Sequence, residues 1–130
     1  MMTIKSRQLL LTFVFSGALG LGLASRSLSD DFVVDDPVTG TQTVDGDDTL
    51  TITEDGSIST TGNSENGVES TGAGNIITNN GTISTSGGSA SGVYDLGTGT
   101  VITNNGTILA DDDGIHGIGD NAVITNNGTI

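Results

Sequence analysis

The chain has 130 residues, of which 33% are hydrophobic and 3% aromatic, too little bulk for a large globular core. Its formal net charge of −13 excludes nucleic acid and anionic lipid as partners through simple repulsion. The absence of cysteine excludes disulfides, zinc–thiolate sites and a thiol nucleophile together.

In chain order, residues 1–24 read as a secretory signal peptide, expected to be helical. Lys5 and Arg7 make a basic start, and residues 9–24 form an apolar run. Gly22 and Ala24 place small residues at −3 and −1 of a cut after Ala24. The run is shorter than the roughly 20 residues that span a bilayer as a helix, which separates a cleaved signal from an anchor. After the cut one basic residue, Arg26, faces 16 acidic ones. Such a chain stays soluble and attracts cations.

Residues 25–48 read as an acidic leader, mobile or forming a first partial coil. Asp30, Asp31, Asp35 and Asp36 bracket Phe32-Val33-Val34, and Pro37 follows. From Thr49 onward apolar and polar residues alternate, and Thr, Ile and Val dominate. Both are signatures of half-buried strands. No stretch after residue 24 has helical apolar spacing.

The region 49–130 is built on one phrase. ITNNGTI occurs at 77–83, 102–108 and 124–130, and a variant, ITEDGSI, at 52–58. The starts are 25, 25 and 22 residues apart. A period of this length marks a solenoid. Between phrases stand Gly67-Val68, Gly92-Val93 and Gly114-Ile115, each glycine 10 residues before the next phrase. The three residues lost in the last period therefore fall in one spacer, between Ile108 and Gly114, as in a surface loop that shortens while the packed register is kept.

Aligned by phrase, the repeats predict inward columns of Ile52, Ile77, Ile102 and Ile124; of Ile58, Ile83, Ile108 and Ile130; and of Val68, Val93 and Ile115. Asn79, Asn104 and Asn126 form a further column, as do Asn80, Asn105 and Asn127, and stacked asparagines bond amide to amide along such an axis. Asp55-Gly56, Asn80-Gly81, Asn105-Gly106 and Asn127-Gly128 read as tight turns using positive φ. The expectation is an all-β chain: a short right-handed parallel β-helix of about three coils of 22–25 residues, each with three short strands. Right-handedness follows the general crossover preference. One coil buries too few aliphatics to stand alone, so stability requires neighbours. The last phrase ends at Ile130 without a cap, which reads as the start of a longer β-helix whose further coils would be its partners.

The signal peptide, TQTVDGDDTLTITEDGSIST at 41–60, and coils carrying ITNNGTI with a Gly-Val turn together resemble the passenger domain of bacterial autotransporters (type V secretion). The resemblance covers residues 41–130. It implies a right-handed β-helix, passage through the inner-membrane secretion machinery, and display at the cell surface through a C-terminal outer-membrane barrel. These 130 residues contain no such barrel, so the resemblance places the chain alone in the periplasm and a full-length parent at the surface.

No residue is assigned a catalytic, cofactor-binding or metal-binding role. His116 is the only histidine, sits beside the Ile115 column on the outward face, and reads as a surface residue. Ser89 and Ser91 lie in a Gly-rich spacer without a G-x-S-x-G elbow. Asp111, Asp112 and Asp113, with Asp120 nearby, offer hard oxygens that suit Ca²⁺, against the alternative of a solvated acidic turn. Gly72-Ala73-Gly74, Gly97-Thr98-Gly99 and Gly117-Ile118-Gly119 lack the third glycine of a phosphate loop and read as one turn repeated in successive coils. The functional expectation is a non-enzymatic stalk that presents a surface for adhesion or binding. The alternatives are a calcium-stabilised secreted repeat protein and, behind it, a polysaccharide-acting β-helix enzyme.

Overall fold

The computed structural model describes residues 29–130; the expected signal peptide lies outside them. The described chain contains thirteen short strands and no helix. They form three parallel sheets, named here A, B and C. Sheet A stacks β1 (Asp31–Val34), β4 (Thr49–Ile52), β7 (Ile76–Asn79), β10 (Val101–Asn104) and β13 (Val123–Asn126). Sheet B stacks β2 (Pro37–Thr39), β5 (Ser57–Thr60), β8 (Thr82–Thr85) and β11 (Thr107–Leu109). Sheet C stacks β3 (Gln42–Val44), β6 (Val68–Ser70), β9 (Val93–Asp95) and β12 (Ile115–Gly117). The chain visits A, B and C in turn and then climbs one rung, which defines a parallel β-solenoid.

Three coils follow Thr49, as expected, and before them residues 31–44 form a coil, the second of the two alternatives that the sequence leaves open. β1, β2 and β3 form a further rung, pairing in register with β4, β5 and β6. Phe32, Val34, Val38 and Val44 supply the inward apolar side chains that the phrase supplies elsewhere. This rung carries no copy of the phrase, and its corners are short: two residues at 35–36 and two at 40–41.

The core is a stack of aliphatic columns. Leu50, Ile77 and Ile102 line one, Ile58, Ile83 and Ile108 a second, and Val68 and Val93 a third, all buried. Ile115 continues the third and packs against the core. Ile124 continues the first but is 48% exposed, because no rung covers it among the described residues.

Ile52 does not belong to the column of Ile77. β4 pairs with β7 so that Leu50 meets Ile77 and Ile52 meets Asn79. The variant phrase has a four-residue corner (53–56) where the others have two, so the strand before it ends two residues earlier in the phrase. A shift of two keeps every side chain on its face, since strand side chains alternate with period two. The structure tolerates it for that reason.

The corners also correct the turn reading. Gly56, Gly81, Gly106 and Gly128 are not among the positive-φ residues. They are required by close stacking instead: a Cβ on Gly81 would lie 2.1 Å from the Gly56 carbonyl oxygen, and one on Gly106 2.1 Å from that of Gly81. Positive φ falls at the other corners: between sheets B and C at Gly40, Ser64 and Ser89, and between sheets C and A at Asp47, Gly74, Gly99 and Asn121. There Gly97 and Gly119 are equivalent, so the third G-x-G sits two residues out of phase with the first two. The shortened period behaves as expected. β11 ends one residue early and the corner 110–114 is two shorter than 86–92, while the pairing on both sides is unbroken.

Candidate functional site

On the outer face of sheet C, Thr43, Glu69, Tyr94 and His116 stand in one register column. His116 faces outward, as its position beside Ile115 predicts, but it has partners. Its ring stacks on Tyr94 with centroids 5.3 Å apart and 24° between planes. Its Nδ1 lies 2.5 Å from Asp113 Oδ2, across the end of the shortened corner. The pair is substantially exposed, so solvent screens it. The sequence search missed Tyr94, whose signal is its 22-residue offset from His116.

The four acids proposed for calcium are divided by the fold. Asp111, Asp112 and Asp113 occupy the corner between β11 and β12, and Asp120 the corner after β12. Among the described residues no group of three or more His, Cys, Asp or Glu side chains is placed to hold a metal ion. Ser89 lies at a positive-φ corner position and Ser91 is buried; the Ser91 amide donates to Asn66 Oδ1 at 2.9 Å.

Polar side chains also fill the solenoid interior. Asn79 Nδ2 donates to Asn104 Oδ1 at 2.8 Å, and Asn104 Nδ2 to Asn126 Oδ1 at 2.8 Å. A parallel outer ladder joins Asn80, Asn105 and Asn127. Beneath the C–A corner, Asn75 Oδ1 accepts from the amides of Gly46 and Asp48. Its Nδ2 donates to Thr71 O and Ser70 Oγ. Asp95 is fully buried; its Oδ1 accepts from Gly97 N and Thr100 Oγ1 at 3.0 and 2.9 Å, while its Oδ2 has no partner. Asn75, Ser70 and Asp95 were not singled out from sequence because they lie outside the phrase.

One open hollow lies beside the B–C corner of the first two rungs, lined by Thr39, Gly40, Ser59, Thr60, Thr61 and Glu65. It exists because that corner has two residues in the first rung and seven in the second, so the second overhangs. Glu65 is turned back to accept from the Gly62 amide at 2.8 Å.

Fold and surface together define a parallel β-solenoid repeat protein with polar ladders inside it. Compared with protein-family models, curated proteins and solved structures, the chain matches none.

Proposed function

We propose that the chain is a non-enzymatic stalk segment of an exported, autotransporter-like passenger that presents an extended surface for adhesion or binding. The observation that carries this reading is the persistence of register: ten strand pairings are parallel and in step from Asp31 to Asn126, through corners that change length. The aliphatic columns repeat from rung to rung, while corner lengths and the outer face of sheet C vary. That division suits a scaffold that carries surface features along an axis.

The resemblance to autotransporter passengers rests on the ITNNGTI phrase, the Gly-Val turns and the signal-like start, and it supports export through the inner-membrane secretion machinery. The chain by itself would reside in the periplasm, and a full-length parent at the surface. A right-handed coil is part of the same proposal.

The test is N-terminal processing. The full chain is expressed in a Gram-negative host, and the periplasmic fraction is analysed by intact-mass spectrometry. The expected product begins at Ser25. An unprocessed chain confined to the cytoplasm would overturn the exported role.

A further inference from the structure

Sheet A has an outer face unlike the other two. From β4 to β13 its outward positions form two register columns. One holds Thr49, Ile76, Val101 and Val123; the other holds Thr51, Thr78, Thr103 and Thr125. All eight residues are β-branched, so each has a stiff χ1 and a fixed methyl direction. Rungs are about 4.8 Å apart, and the two columns about 6.6 Å apart along the strand. The face is therefore a grid of methyl and hydroxyl groups on a regular lattice.

Two further observations describe the chemistry of this grid. The hydroxyls of Thr51, Thr78, Thr103 and Thr125 have no hydrogen-bond partner among the described residues. By contrast, the buried Thr60, Thr85 and Thr100 hydroxyls bond to their own chain. The face is also free of charge from β4 to β13; Asp31, below Thr49, is the nearest carboxylate in the columns. Face C carries Glu69 and His116, whereas face B is also uncharged but mixes Ser57, Ser59 and Ser84 with Thr82, Thr107 and Leu109, so only the columns of face A are uniformly β-branched.

We propose that the outer face of sheet A binds ice. A charged surface orients its own hydration shell and so disturbs a water lattice. A rigid, uncharged grid leaves methyl groups to cage water and hydroxyls to join it, at a rung spacing close to an oxygen repeat of hexagonal ice. The two inner and outer asparagine ladders tie successive rungs together and hold the grid in register. Other occupants fit less well. A protein interface draws on aromatic and Arg anchors, and a sugar-stacking surface on aromatic rings. The grid has none of these.

The test is nanolitre osmometry with ice-crystal imaging on the full chain, its β-type circular dichroism confirmed first. Wild type is expected to grow faceted crystals and to separate the freezing from the melting point. Thr103→Lys and Thr78→Lys, which place a hydrated charge mid-grid, are expected to abolish both effects with the β spectrum unchanged. Glu69→Lys, on face C, is expected to leave both intact. Three outcomes overturn the proposal: round crystals with no separation in wild type, equal loss in Thr103→Lys and Glu69→Lys, or a face-A dimer in sedimentation that Thr103→Lys disperses without any effect on ice.

Discussion

Asn79 and Asn104 are joined amide to amide at 2.8 Å inside the solenoid, with Asn79 Nδ2 also reaching the Thr107 carbonyl at 3.1 Å. Asn104 repeats the arrangement one rung on, to Asn126 and Thr129. Each Nδ2 thus reaches both a neighbouring asparagine and a backbone carbonyl just past the A–B corner, while Asn79 Oδ1 has no partner. Removing one link leaves buried donors and acceptors unmet, at a cost of about 1–3 kcal/mol. Asn104→Ala is expected to lower stability by that amount in urea denaturation. Asn105→Ala, in the exposed ladder, should stay within about 0.5 kcal/mol. Equal losses for the two would show that burial is not what gives the inner ladder its weight.

The corner glycines make a second, opposed pair. A Cβ at Gly106 has no room: Gly81 O would be 2.1 Å away and the Asn80 carbonyl carbon 2.8 Å. Gly106→Ala must push two rungs apart, and overpacking of this kind costs about 1–3 kcal/mol. Gly99 has open space around it but a φ of +70°. There Gly99→Ala should cost about 1 kcal/mol through backbone strain alone. Gly99→Asn should cost less, since Asn121 holds the equivalent position one coil later at φ +59°. Thermal melts of the three variants would separate crowding from strain.

The contrast between Ile52 and Ile77 shows what the sequence made legible. The parallel coils, the columns from Ile58 and Val68 onward, both asparagine ladders and the single shortened corner follow from spacing, because each position is repeated by identical or similar residues. Ile52 was misassigned because a phrase match aligns letters, whereas β pairing aligns faces, and a two-residue slip leaves the faces unchanged. For the rung at Asp31–Val44 the sequence leaves a mobile leader and a first partial coil both open, because its inward residues, Phe32, Val34, Val38 and Val44, share no wording with the repeat. Tyr94 beside His116, and Asp95 beneath the corner, needed the rung offset before either could be placed.

Asp95 carries a third prediction. It is enclosed, with Oδ1 held by Gly97 and Thr100 and Oδ2 without a partner. The equivalent residues are Ser70 one rung below and Gly117 one rung above, neither of them charged. A buried carboxylate with a free oxygen is costly. Asp95→Asn keeps the Oδ1 acceptor and removes the charge, while adding an amide that must itself find a partner. The two effects are opposed, and the removed charge is the larger. Stability at pH 7 is expected to rise by about 1 kcal/mol. A fall in the urea midpoint would show that the unpartnered amide costs more than the charge it replaces.

The last prediction concerns the first rung. Leu50, Ile52, Ile58 and Val68 are buried to 1% exposure or less, and β1, β2 and β3 lie directly against their strands. In a solenoid each rung is stabilised mainly by its neighbours, so removing the rung uncovers that whole underside at once. The rung also carries Asp31, Asp35, Asp36, Asp45 and Asp47 at exposed positions. Among the described residues those carboxylates sit at the end of the stack, where a bare edge would otherwise template association. A chain beginning at Thr49 is therefore expected to melt at a lower temperature than one beginning at Ser25 and to self-associate as concentration rises. Circular dichroism melts and sedimentation velocity on the two chains measure both effects. Equal melting and equal sedimentation would mean that residues 25–48 contribute neither a covering rung nor a charged stop.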